Sequence, residues 1–189
     1  TGNGEACDEL WQEFAMRLIQ GDFHKADPAK GRFRSYLKTV LVRMSHRHRE
    51  QAARRATVNL ELSPVEPVAE HDQPSFDLQW REHLIDRAWH ALRDARPPYE
   101  TLLRLRTEQP DASSQQLAAA MKDRHGVDWT AETLRQTLRR ARQRFGELLL
   151  DEVAHSIDPV TRDTMEEELA ALELLSYCRP WLDRWMAST

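Results

Sequence analysis

The sequence has few cysteines and no long apolar run, and each of these deficits excludes a class of protein. Its only two cysteines among 189 residues, Cys7 and Cys178, lie near opposite ends, without CxxC or Cys/His ligand spacing. This argues against a disulfide framework and a zinc site, and it favours a reducing compartment. No stretch approaches membrane-spanning length, and the first residues lack a signal-peptide pattern. We therefore expect a cytoplasmic protein with no membrane partner.

The motifs that usually carry enzyme chemistry are also missing. The sequence has no GxxxxGK[ST], GxGxxG, GxSxG or HExxH. On a helix, His46 and His48 would point to different faces, so we interpret them as structural or electrostatic residues and not as metal ligands. Carboxylates such as Glu166 and Glu168 lie in an acidic run that is typical of a solvated helix face. The prediction is a protein that is not an enzyme, with no cofactor and no metal.

Glycine is scarce, at six residues, and β-branched runs are few, which favours the all-α class. Residues 56–77 carry three prolines and five acidic residues, with no sustained hydrophobic period and no lysine or arginine. We interpret them as a linker between two small helical modules. The predicted organisation is a first module at 1–55, the linker at 56–77, a second module at 78–155 and a C-terminal extension at 156–189.

Charge is distributed in blocks, although the whole chain carries a net charge of only −4. Residues 25–55 contain ten lysines and arginines against two acidic residues. A second basic block, "RQTLRRARQR", begins at Arg135. Such asymmetry points to a polyanionic partner. The alternative is that the first basic block pairs with the acidic linker.

Hydrophobic periodicity predicts two helices in the first module. The first helix has its apolar residues at Leu10, Trp11, Phe14, Ala15 and Leu18, and the second at Phe33, Tyr36, Leu37, Val40, Leu41 and Met44. After Met44 the sequence still favours a helix but is polar all round, so this part is expected to project into solvent or onto a partner. The rings of Phe33 and Tyr36 are interpreted mainly as core, with base stacking as the alternative.

In the second module, four helices are predicted, with Pro97 and Pro98 breaking the first from the second. The last two have the proportions of a helix-turn-helix. Ser113 and Gln116 stand at capping-box spacing, and Thr130 is the predicted N-cap of the final long helix. The predicted buried stripe of that helix is Leu134, Leu138, Ala141, Phe145 and Leu148.

Arginines form a second stripe on the final helix, at Arg135, Arg139 and Arg142, with Gln136 and Arg140 adjacent. Arginine and glutamine can contact guanine and adenine edges, and further arginines can neutralise phosphates. This favours a DNA-reading helix, and the alternative is a merely solvated face. The aromatic residues Tyr177, Trp181 and Trp185 of the extension are interpreted as packing on the second module, with a regulator-binding site as the alternative.

Two runs of sequence carry a family resemblance. The run "DELWQEFAMRLIQGDFHKADPAKGRFRSYL", residues 8–37, resembles the first domain of bacterial sigma factors of the extracytoplasmic-function group. The run "SSQQLAAAMKDRHGVDWTAETLRQTLRRARQRFGELLLDEV", residues 113–153, is similar to their C-terminal helix-turn-helix domain. The resemblance implies an all-α protein that binds core RNA polymerase and directs promoter recognition and transcription initiation. Family members carry further helices before the one at residue 8, so we expect the first domain to be incomplete at its N-terminus.

The resemblance also implies roles for particular residues. Polymerase binding would fall to Asp8, Gln12 and Glu13. The minus-10 promoter element would be held by Arg34, Tyr36, Lys38, Arg43, His46 and Arg47. The minus-35 element would be read by Thr130, Thr133, Arg135, Gln136, Arg139, Arg140 and Arg142.

The partners implied are core RNA polymerase and promoter DNA, with an anti-sigma regulator as a further candidate. Two other functions stay open. One is a helix-turn-helix regulator that does not engage polymerase. The other is a protein interaction module whose basic faces bind an acidic partner.

Overall fold

A computed structural model describes residues 2–21, 33–58, 73–126 and 128–188 of the chain. All regular secondary structure in these residues is helical, which confirms the all-α prediction. The helices are α1 (Gly2–Ile19), α2 (Phe33–Val58), α3 (Gln73–Ala95), α4 (Pro97–Glu108), α5 (Ser114–His125), α6 (Ala131–Ala154), α7 (Arg162–Ala171) and α8 (Leu175–Met186).

The chain divides into two compact units, residues 1–76 with 156–159 and residues 77–155 with 160–189. Helix α2 runs to Val58 and α3 begins at Gln73, so both ends of the predicted linker are helical. The central part of that linker, 59–72, lies outside the described residues.

The first unit pairs α1 with α2. On α2, the predicted apolar stripe is confirmed at Met44, which is 2% exposed, and is half-buried from Tyr36 to Leu41. The interpretation of Phe33 as core is wrong, because its side chain is 41% exposed at the start of the helix. The helix continues beyond Met44, as expected. On α1, however, the apolar face is only partly covered. Phe14 is half-buried, whereas Trp11 and Leu18 are 67% and 55% exposed.

The second unit is organised around α6, which contacts α4, α5, α7 and α8. The predicted buried stripe of α6 is confirmed, since Leu134, Leu138, Ala141, Phe145 and Leu148 are all at most 8% exposed. The break at Pro97 and Pro98 is also confirmed, because both prolines occupy the first turn of α4. Proline fits there since the first helical N–H groups have no intrahelical acceptor.

Aromatic rings connect three helices of this unit. Trp89 of α3 lies 4.5 Å from Phe145 of α6, Phe145 lies 6.0 Å from Tyr177 of α8, and Tyr177 lies 5.2 Å from Trp181 (centroid distances). The guanidinium of Arg104 lies over the ring of Trp89, with Cζ 4.6 Å from the ring centroid. These contacts fix how α3, α4 and α8 lie against α6.

Arg104 is itself held by Glu100, a nearly buried carboxylate on α4. Its Oε1 accepts hydrogen bonds from Arg104 Nε at 2.5 Å and from Arg93 Nη2 at 3.1 Å. Burial alone would raise the pKa of Glu100, but the two guanidinium groups outweigh it and lower the pKa below its usual 4.5. Glu100 therefore stays ionised at neutral pH and joins α3 to α4.

The C-terminal extension forms two helices, α7 and α8. The segment "RPWLDRWM" lies within α8 together with its proline, Pro180. Packing on α6 offsets the cost of a proline inside a helix, about 3 kcal/mol, because Leu182 and Trp185 are both buried. The expectation of a solvated acidic face on α7 is wrong for Glu168, which is 0% exposed.

Candidate nucleic-acid interface

Helix α5 begins with the capping box that the sequence predicts. The Ser113 hydroxyl accepts from the Gln116 backbone N–H at 3.2 Å, and the Gln116 side chain accepts from the Ser113 N–H at 2.8 Å. Two otherwise unpaired backbone donors are satisfied in this way. The start of the helix is therefore set by local sequence.

The turn after α5 is closed by Gly126, whose φ of 66° lies in the left-handed region. Its N–H donates to the Lys122 carbonyl at 2.7 Å. Nothing lies within 4 Å of a Cβ built at this position, so the requirement for glycine comes from the backbone angle and not from space. Lys122 Nζ also contacts Asp128 Oδ2 across the turn, at 2.8 Å.

Helix α6 starts at the predicted N-cap, Thr130, whose hydroxyl accepts from the Thr133 N–H at 3.1 Å. The two threonine hydroxyls also lie 2.9 Å apart. Both side chains therefore serve the helix start. With α5 and α6 defined, the described residues 113–126 and 128–154 have the order of elements of a helix-turn-helix.

Of the seven residues predicted for the minus-35 element, Thr130 is the N-cap of α6 and the other six lie within that helix. Their side chains differ in whether another residue of the protein already binds them. Glu132 holds two of them, with Oε2 at 2.5 Å from Arg135 Nη2 and Oε1 at 3.2 Å from Gln136 Nε2. Both hydrogen bonds lower the pKa of Glu132, and the one from Arg135 has the larger effect. Glu132 is therefore anionic at neutral pH. Its charge lies beside two of the residues predicted to contact DNA.

The other three, Arg139, Arg140 and Arg142, are exposed and make no ion pair within 4.0 Å to any residue that the structure describes. Other arginines of this unit are in ion pairs, for example Arg81 with Glu173 at 2.5 Å and Arg87 with Glu152 at 2.5 Å. The three α6 arginines are thus among the exposed arginines of this unit that no carboxylate of the described residues holds.

The six residues predicted for the minus-10 element spread around α2. Tyr36, Arg43 and Arg47 share one face, since spacings of seven and four residues bring side chains into line. His46 is exposed beside them, and Lys38 lies on a different face. Arg34 is only 5% exposed, so its side chain is not on the surface that these residues form.

The residues predicted to bind polymerase, Asp8, Gln12 and Glu13, are all exposed on α1. Asp8 and Gln12 are one turn apart, while Glu13 pairs with Arg17 at 2.5 Å. The sequence reading missed Glu9, whose Oε2 lies 2.9 Å from Nε2 of His48 and links α1 to α2. Periodicity could not indicate this pair, because the two residues are 39 positions apart.

Neither a metal site nor a membrane span is found in the described part of the chain. No three His, Cys, Asp or Glu side chains there are arranged to hold a metal ion. No helix there combines the length and apolarity needed to cross a bilayer.

Comparison of this chain with models of protein families, with curated proteins and with solved structures gave no match.

Proposed function

We propose that the protein is a sigma factor of the extracytoplasmic-function type, which binds core RNA polymerase and directs it to promoters. The observation that carries the proposal is the helix-turn-helix of α5 and α6 with three unpaired arginines on its outer helix. The sequence resemblance of residues 8–37 to the first domain of this group supports the polymerase-binding part. Such a protein acts in the cytoplasm, together with its polymerase.

DNA recognition would follow from the surface chemistry of α6. A recognition helix enters the major groove with its N-terminal residues nearest the base edges. Arg135 and Gln136 lie there and can form bidentate contacts with guanine and adenine. Arg139, Arg140 and Arg142 follow along the same helix, where contacts with phosphates fix its position.

The second site would be α2, with the face of Tyr36, Arg43 and Arg47 toward an unpaired strand. Tyr36 is half-buried beside the apolar stripe, so its ring could stack on a base while the arginines neutralise phosphates. Two modest sites on one chain reinforce each other, because binding at one raises the effective concentration of the other.

Capture by core RNA polymerase tests the first half of the proposal. Glu13→Arg reverses a charge on the exposed surface of α1 and should reduce capture at least roughly tenfold, as reversed interface charges commonly do. Arg17→Gln is the matched control, since it breaks the same ion pair but leaves the acidic surface intact. Absence of capture of the unaltered chain would overturn the sigma proposal and favour the regulator that does not engage polymerase.

Selection of duplexes from a random pool tests the second half. The selected duplex should bind more tightly than its scrambled version, by a factor of about 10³ or more for a specific site at moderate salt. Equal affinity for both would contradict promoter reading and favour the interaction module for acidic partners.

A further inference from the structure

A groove lies between α6 and α8 in the second unit, with a volume of about 440 Å³. Three of its lining residues come from α6 and three from α8: Arg139, Arg142, Gln143, Pro180, Trp181 and Arg184. Trp181 lies over Gly146, where a Cβ would come within 2.3 Å of its ring. Because only glycine admits the ring this closely, α8 approaches α6 and its Arg184 comes to the groove beside the α6 arginines.

The groove carries three guanidinium groups and no carboxylate among its lining residues. Like Arg139 and Arg142, Arg184 makes no ion pair within 4.0 Å to a residue of the described part. The acidic residues nearest in sequence are already engaged: Asp183 pairs with Arg162, and Glu147 with Arg144 at 3.4 Å. Three like charges brought together without a counter-charge repel each other, so the arrangement is suited to an anion.

The position of the groove indicates which kind of anion would bind there. Arg135, Arg139 and Arg142 follow one line along the exposed side of α6, and Gly146 continues it beneath Trp181. From Arg135, Arg142 lies about 10 Å further along the helix axis. When the start of a recognition helix is in the major groove, its later turns leave toward the sugar-phosphate backbone. The groove is therefore where a backbone phosphate would meet the protein.

We infer that this groove is a phosphate clamp for duplex DNA, in which Arg184 of α8 joins Arg139 and Arg142 on one segment of backbone. The inference rests on the proposed DNA-binding function and extends the interface from α6 onto the C-terminal extension. Arginine suits this role, since its planar fork of donors matches phosphate oxygens bidentately. The apolar walls of Pro180 and Trp181 keep the guanidinium groups in place beside the backbone.

The test is binding of the full chain to a fluorescent 30-base-pair duplex, measured by anisotropy over a range of salt concentrations. Arg184→Gln should weaken binding roughly three- to tenfold near 0.1 M salt. It should also make the negative slope of log affinity against log salt concentration shallower by about 0.9, because one phosphate contact is lost. Arg184→Lys should keep most of the slope because it keeps the charge. Arg179→Gln is the matched control, since Arg179 is an exposed arginine of the same helix that does not line the groove.

Equal effects of Arg184→Gln and Arg179→Gln on a chain that binds the duplex would overturn the clamp and leave the proposed function standing. Failure of the unaltered chain to bind any duplex would overturn both. Unfolding midpoints of the variants report whether each one folds.

A free nucleotide is the other source of a phosphate, and the volume falls within the range of about 300–1,000 Å³ that small ligands occupy. Titration with ATP, followed by tryptophan fluorescence, distinguishes the two sources. The clamp predicts no saturable change at micromolar ATP. Saturable binding at that concentration, lost in Arg184→Gln, would assign the groove to a free nucleotide and overturn the clamp.

Discussion

On the proposed DNA-binding surface of α6, one carboxylate limits the positive charge that is available. Glu132 occupies Arg135 and Gln136, the two residues nearest to where base edges would lie. In the proposed DNA complex, a phosphate would compete with Glu132 for Arg135 and would approach an anionic side chain at the same time. Glu132 would therefore lower the affinity for DNA and would discriminate against ligands that offer Arg135 a weaker acceptor.

Glu132→Gln should consequently tighten duplex binding. Removing the charge weakens the hold on Arg135 and the repulsion of phosphates, so we expect roughly two- to fivefold higher affinity at low salt, as for other exposed ion pairs. Anisotropy titration measures the change. Glu166→Gln, which removes a carboxylate paired with Arg162 on α7, is the control and should leave affinity unaltered. Weaker binding of Glu132→Gln would contradict a DNA-facing α6.

Glu100 has a different role, since it links α3 to α4 through two arginines. Its pKa is lower in the folded protein than the ordinary 4.5, so its stabilisation is fully present above that value and is lost as pH falls through the folded pKa. Glu100→Gln should therefore lower the free energy of unfolding by about 1–2 kcal/mol at pH 7.

Urea unfolding at a series of pH values tests the contribution of Glu100 to stability. The difference between Glu100→Gln and the unaltered chain should narrow as the pH falls below about 4.5. Glu173→Gln, which removes a carboxylate that is 77% exposed and pairs with Arg81, should show little difference at any pH. A difference that is constant with pH would mean that the charge of Glu100 does not contribute.

The close approach of α8 to α6 depends on the contact between the ring of Trp181 and Gly146. A methyl group at Gly146 would overlap three ring atoms at 2.3–2.8 Å. The Nε1 of Trp185 strengthens the same interface by donating to Asp151 at 2.7 Å. These contacts hold a helix that contains a proline, and they bring Arg184 to the groove.

Gly146→Ala should lower the free energy of unfolding. Overpacking costs about 1–3 kcal/mol, and the better helix propensity of alanine returns up to about 1 kcal/mol. The double-mutant cycle with Trp181→Ala isolates the contact. In the Trp181→Ala background, Gly146→Ala should be neutral or stabilising. The same loss in both backgrounds would show that the contact is not the cause.

At the level of the whole chain, the second unit carries its own core, since the segment from α3 to α8 supplies nearly all of the buried apolar residues that the structure describes. A chain of residues 77–189 should therefore be helical and unfold cooperatively in urea, with a slope of about 1–3 kcal/mol/M. It should retain salt-dependent duplex binding through α6. It should lose capture by core polymerase, because Asp8, Gln12 and Glu13 lie in the first unit.

Circular dichroism, urea titration and capture assays check these outcomes. A gradual, non-cooperative unfolding curve would contradict an independent core. Full capture of this shorter chain by polymerase would show that the polymerase contacts lie outside α1.

The parts of this protein that follow from sequence alone are those decided within a turn or two of helix. The caps at Ser113 and Thr130, the break at Pro97 and the buried stripe of α6 depend on local hydrogen bonds and on a 3.6-residue period, both of which can be read from neighbouring residues. The resemblance of residues 8–37 to a sigma domain likewise resides in the sequence, and its functional meaning stays a proposal.

Tertiary structure alone decided the burial of Glu168, the course of α8 through Pro180 and the meeting of Arg184 with Arg139 and Arg142. Periodicity does not indicate which distant helix covers a face. The low helix propensity of proline predicts a break at Pro180, but the packing of Leu182 and Trp185 keeps the helix continuous. Residues more than 40 positions apart share a groove only because the ring of Trp181 finds a glycine beneath it, and this depends on how the two helices pack.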